Sequence, residues 1–188
     1  MKSTLFFLFA VVFSFSVQAQ EVQEVQKQHE IGVVIGGITS KGITFRTGTE
    51  KALWRFTGLA HTGWSMTAEF GSTREELETY AISVHAGREF RKALDSQFEL
   101  RYGASASFKY KIYDLVITDQ DGVREEKYFN YVPGMFLIGG FNYAVAPQFI
   151  LGMEVTPRVS YYTGDKNLFT REGVKAGMAL QISFAYRF

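Results

Sequence analysis

Residues 173–188, GVKAGMALQISFAYRF, alternate without a break: Val174, Ala176, Met178, Leu180, Ile182, Phe184, Tyr186 and Phe188 share one parity, and Gly173, Lys175, Gly177, Ala179, Gln181, Ser183, Ala185 and Arg187 the other. A period of two kept up this long is that of a β-strand with one apolar side. The segment is longer than the roughly 9 to 11 residues a tilted strand needs to cross a bilayer.

The same parity sorts the chain upstream. Phe98, Leu100, Tyr102, Ala104, Ala106, Phe108, Tyr110 and Ile112 oppose Glu99, Arg101, Gly103, Ser105, Ser107, Lys109 and Lys111. Three more apolar faces are Tyr131 to Val145, Phe149 to Tyr161 and Tyr80 to Phe90. Before them the pattern is less regular and predicts strands over Glu30 to Ile38, Gly42 to Thr47 and from Ala52 to about Ala60. The total is eight, and an even count is what a closed antiparallel membrane barrel requires. Short links are expected at Gly48 to Lys51, Lys92 to Ser96 and Ala146 to Gln148. Long polar loops are expected at Thr62 to Thr79, Leu115 to Lys127 and Gly164 to Glu172. Thr39 to Lys41 is a short link on the long-loop side. This asymmetry predicts periplasmic termini and external loops. The charged link from Asp119 to Glu126 is flanked by extended pattern and suits a hairpin standing above the membrane.

Composition narrows the function. The 188-residue chain suits one domain, and its 20 Lys and Arg against 19 Asp and Glu offer no field to gather nucleic acid. With no cysteine there is no disulfide framework, thiol nucleophile or lipoprotein anchor. Met1 and Lys2 precede an apolar run from Leu5 to Phe15 and a compact Ser16, Val17, Gln18, Ala19, which predicts a signal peptide over 1–19 cleaved after Ala19. Residues 20–28 then form a short periplasmic segment and 29–188 the barrel domain.

Alternation alone does not say which face is out. The non-apolar faces are rich in Gly, Ala and Ser, as a narrow lumen needs. Aromatics fall at strand ends: Trp54, Phe90, Phe98, Tyr143, Phe149, Tyr186 and Phe188 toward one side, Tyr80, Tyr110, Tyr131 and Tyr161 toward the other, as two membrane interfaces favour. The expectation is an all-β, eight-stranded antiparallel up-and-down transmembrane β-barrel. Pro133 and Pro157 fall inside strand patterns, where a missing donor predicts a bulge, a break or a strand end. Arg88 takes the apolar parity near a strand end, where a long side chain can snorkel.

The terminal Leu180, Ile182, Phe184, Tyr186, Phe188 resembles the carboxy-terminal signature of outer-membrane barrels, which implies delivery to the barrel-assembly machinery. The whole mature architecture is similar to small barrels of the OmpA and OmpX kind. Residues 40–57, SKGITFRTGTEKALWRFT, are similar to the opening hairpins of small Bacteroidota barrel proteins. These resemblances imply a monomer in the outer membrane among lipids and lipopolysaccharide, with no cofactor.

Eight strands leave an interior just wide enough for side chains to fill. Arg46, Arg55, Glu89, Glu99, Arg101, Lys109, Glu154, Arg158 and Arg187 take the inward parity, and buried charges persist when paired or wet, so an ion-pair network plugging the lumen is expected. A structural or surface-interaction role follows, with a narrow channel for small polar solutes and an outer-membrane lipid-modifying enzyme as the alternatives. Enzymatic activity is not expected. His85, with Ser83 and Glu89 on its parity, lacks partners within relay distance along its own strand. His61 with Ser65 matches only the rim position used by some lipid A-modifying enzymes. The three histidines are too dispersed to hold a metal.

Overall fold

The computed structural model describes residues 27–37, 39–163 and 172–188, so the expected signal peptide and most of the segment that follows it lie outside the described residues. Eight strands, β1 (Lys27–Gly36), β2 (Ser40–Thr49), β3 (Ala52–Phe70), β4 (Thr73–Ala93), β5 (Phe98–Asp119), β6 (Gly122–Ala146), β7 (Phe149–Tyr162) and β8 (Gly173–Arg187), pair in chain order into a closed barrel. Every pairing is antiparallel. The seam joins β1 to β8 from Glu30 opposite Arg187 to Gly36 opposite Gln181.

The burial pattern is inverted relative to a soluble barrel. Outward side chains such as Ile43, Val84 and Leu137 are 66, 61 and 61% exposed, while Arg46, Arg55, Glu89 and Arg101 are at most 1% exposed inside. An apolar wall around a polar interior is the arrangement of a membrane-spanning barrel. Aromatic rings gather at both ends of that wall. Phe90 stacks on Tyr102 at 5.7 Å, Phe98 meets Tyr143 at 4.9 Å and Phe149 meets Tyr186 at 5.4 Å at the end where β1 begins and β8 finishes. Tyr110 meets Tyr131 at 5.3 Å and stacks on Phe129 at 5.9 Å toward the far end. Arg88, on the wall, places its guanidinium 5.1 Å from the Trp54 ring on the neighbouring strand.

Two expected loops are strands instead. Residues 62–79 continue β3 and β4 to a turn at Gly71 and Ser72, with Gly71 at a φ of 64°. Residues 115–127 likewise continue β5 and β6 to a turn at Gln120 and Asp121, where Asp119 Oδ1 accepts the backbone N–H of Asp121 and of Gly122. The first was hidden by a register shift between His61 and Trp64. The extra residue flips the parity of β3, so that Met66 and Ala68 lie opposite Leu77 and Glu75, on the lumen-side face of β4. Beyond Tyr80 the wall side of β4 carries Glu78, Glu76 and Arg74, which marks where the apolar band stops. The four central strands, of 19, 21, 22 and 25 residues, therefore rise past the flanking ones, of 10, 10, 14 and 15.

Both prolines interrupt pairing between β6 and β7. The ladder ends at Gly134 opposite Ser160, one residue before Pro133, and the pairs that would join Leu137 to Pro157 and Ile138 to Thr156 are missing while the register is kept.

Candidate functional site: the charged lumen

In the half of the lumen nearer the termini, alternate positions of the strands bring five arginines and four glutamates together: Arg46, Arg55, Arg91, Arg101 and Arg187 with Glu30, Glu89, Glu99 and Glu154. Arg91 Nη1 and Nη2 donate to Glu30 Oε1 and Oε2 at 2.6 and 2.7 Å. Arg46 Nη1 and Arg187 Nε donate to the same carboxylate at 3.2 and 2.9 Å. Arg55 binds Glu154 through two bonds of 2.7 Å, and Arg101 donates to Glu154 Oε2 as well. Glu89 Oε1 accepts from Arg91 Nε at 2.9 Å; its Oε2 is faced by Arg46, Arg55 and Arg101 at 3.4, 3.7 and 4.0 Å. Glu99 accepts from Arg187 at 2.9 Å and from Asn142 at 3.0 Å, and Asn142 Oδ1 accepts from Arg101 Nη1 at 3.0 Å. Each carboxylate meets two or more cations, the condition under which buried charge is tolerated.

With Asn142 on β6, the network draws on all eight strands. Room for it comes from glycine: a Cβ on Gly152 would lie 2.6 Å from Ser183 Oγ and 2.8 Å from Arg101 Nη1.

Of the residues singled out by parity, Arg46, Arg55, Glu89, Glu99, Arg101, Glu154 and Arg187 meet here. Lys109 and Arg158 do not. They stand toward the far end, and neither pairs with a carboxylate among the described residues. Lys109 is eight residues beyond Arg101 on β5, about 26 Å at strand rise, which takes it out of the reach of the glutamates. Glu30 and Arg91 belong to the network and were not singled out, although each keeps the inward parity of its strand.

The histidines sit apart from the carboxylates. His61 Nδ1 lies 2.6 Å from Ser40 Oγ and its Nε2 lies 2.9 Å from Ser83 Oγ, so its partners are two hydroxyls on neighbouring strands. Ser65 lies on the opposite face, past the register shift. His85 packs edge-on against Phe136 at 5.1 Å. Among the described residues no group of three or more His, Cys, Asp or Glu is placed to hold a metal ion. Leu180, Ile182, Phe184, Tyr186 and Phe188 all lie on the wall face of the last strand or its end, 39 to 61% exposed.

A major outer-membrane protein from Thermus thermophilus superposes with a TM-score of 0.51 over 87% of this chain and 100% of its own, at 10% identity. The chain has the outer-membrane β-barrel fold. Among other similar barrels are Neisserial surface protein A (TM-score 0.47, 17% identity, covering 87% of this chain and 94% of that one) and CarO of Acinetobacter baumannii (0.47, 13%, 85% and 97%). No protein-family model matches the sequence, and no curated protein does. At these identities the likeness of the barrel to its neighbours is one of fold.

Proposed function

We propose that the chain is an exported outer-membrane barrel with a structural or surface-interaction role, its termini in the periplasm and its lumen plugged. The observation that carries this reading is the Arg and Glu network, which occupies the interior where a permeation path would have to run and, with Asn142, draws on every strand. In an eight-stranded barrel there is little cross-section left once five guanidinium groups are in place. The long β3–β4 and β5–β6 hairpins then stand outside the cell as the surface available to partners and lipopolysaccharide. Leu180 to Phe188 serve as the assembly signal, and a peptide over 1–19 directs export.

The barrel is read as non-catalytic, because among the described residues His61 has hydroxyl partners and no carboxylate to orient it, and His85 faces a phenyl ring. Two measurements test the proposal. The detergent-refolded protein should migrate differently on electrophoresis with and without boiling; identical mobility together with solubility without detergent overturns the membrane assignment. In planar bilayers it should be silent, and reproducible ohmic single-channel steps would replace the plugged barrel with a narrow channel.

A further inference from the structure

We propose that the far end of the lumen is a binding site for an oxyanion, a phosphate or sulfate group, held chiefly by Lys109 and Arg158. Both residues line one pocket, together with Ser107, Ser160 and Tyr162, and Phe136 is also in its lining. Two more cations stand at the same opening: the ammonium groups of Lys111 and Lys175 lie 5.2 and 4.7 Å from the centre of the Tyr162 ring. Four positive charges thus gather around one end of the barrel. Arg158 and Lys111 are close enough to repel Lys109.

Among the described residues no carboxylate answers them. Glu126 and Glu172 accept hydrogen bonds from the hydroxyls of Tyr128 and Tyr161, and Asp114 pairs with Lys127 at 3.6 Å. The other half of the lumen, where every arginine meets a glutamate, is built in the opposite way. Like charges crowded at a partly desolvated opening cost stability unless an anion joins them. Lysine and arginine offer only donors, and with the hydroxyls they suit a group presenting several acceptor oxygens. The pocket itself has about 30 Å³ of room, close to two waters. The oxyanion therefore sits at the mouth, where Arg158 and Lys175 are exposed, rather than inside the pocket. The same chemistry is offered by a free ion and by an ester on a saccharide or lipid.

The test is calorimetric titration of the full-length mature barrel, refolded in octyl glucoside at low salt, with inorganic phosphate, sulfate, glucose 6-phosphate, glucose and lipid A in mixed micelles. Saturable binding of at least one phosphate or sulfate compound is expected, none of glucose, and a dissociation constant at least tenfold weaker in Lys109→Gln/Arg158→Gln. Lys41→Gln, on the wall face of β2, should leave it unchanged. Binding of the inorganic ions assigns a free-anion site, and binding of only the esters assigns a site for the group carried on a larger molecule. The single variants Lys109→Gln and Arg158→Gln replace the double one if it does not refold. No saturable binding, or binding untouched by these variants, overturns the inference. A heat-shifted band without anion binding sinks this inference and leaves the barrel standing, whereas loss of the shift in the wild type sinks the membrane assignment.

Discussion

Arg55 and Glu154, 99 residues apart in the chain, face each other from β3 and β7 across the lumen, with Nη1 donating to Oε2 and Nη2 to Oε1 at 2.7 Å each. They are not on adjacent strands, so the pair braces the barrel across its width where no backbone ladder can. Glu154→Gln would leave Arg55 and Arg101 facing an amide, and removing one partner of a buried pair costs about 3 to 5 kcal/mol. Urea unfolding in detergent should show a loss of that size. Replacing Arg55 and Glu154 together with Met should cost less than the two single changes added, since neither is left facing the other's vacancy and only Arg101 loses a carboxylate.

Gly152 makes room for the same cluster. Gly152→Ala sets a Cβ against Ser183 Oγ, Arg101 Nη1 and Asn142 Oδ1 at 2.6, 2.8 and 3.0 Å. Arg101 is held by Glu154 and Asn142 and has little freedom to give way. A loss of about 1 to 3 kcal/mol is expected, as for other overpacked interiors, read as a lower urea midpoint with an unchanged slope.

How much of this was legible in the sequence depends on what a single strand can carry. β5 and β8 were plain because their parity is unbroken. The rise of β3 and β4 was not, because the register shift after His61 moves the wall face of β3 from even positions such as Trp54 and Phe56 to odd ones, Ser65, Thr67 and Glu69, and the stretch reads as irregular and polar. Inward parity found seven members of the lumen network, but it says nothing about height along the axis. Lys109 and Arg158 were therefore grouped with charges they never meet. Glu30 was passed over because the alternation around it is irregular, and Arg91 because the apolar face legible on β4 stops at Phe90. Which acid meets which base follows from the stagger of the whole barrel, which no one segment encodes.

Trp54 and Arg88 occupy the wall at the terminal end. With Trp64→Phe, Trp54 becomes the sole tryptophan of the chain. In vesicles its fluorescence should be quenched more by lipids brominated near the headgroup than by lipids brominated near the chain ends, as an interfacial ring requires. Stronger quenching from the bilayer centre would contradict the position of the girdle.

Asp95 shapes the turn between β4 and β5, outside the apolar band. Its Oδ1 accepts the N–H of Gln97 and of Phe98, each at 2.7 Å, and these bonds hold the carboxyl below its usual range. A lowered folded value means that the contribution is present at neutral pH and is lost as pH falls through the carboxylate range. Asp95→Asn should be less stable than wild type at pH 7, with the gap closing as the solution is acidified.

An epitope inserted between Gln120 and Asp121, at the tip of the tallest hairpin, should be tolerated and should bind antibody on intact cells. An epitope between Glu50 and Lys51 should be reached only after permeabilisation. The reverse result would invert the orientation.

Glu30 comes from the first strand and Arg187 from the last, yet they accept and donate within one cluster at 2.9 Å. Until the seam zips, β1 and β8 stand apart, and Glu30 and Arg187 have only water to satisfy the bond they later share. The final joining of β1 to β8 is thus the step at which the cluster gains its last contacts and is shut off from water. This favours an all-or-none assembly, in which a barrel missing either end strand has nothing to gain from leaving water.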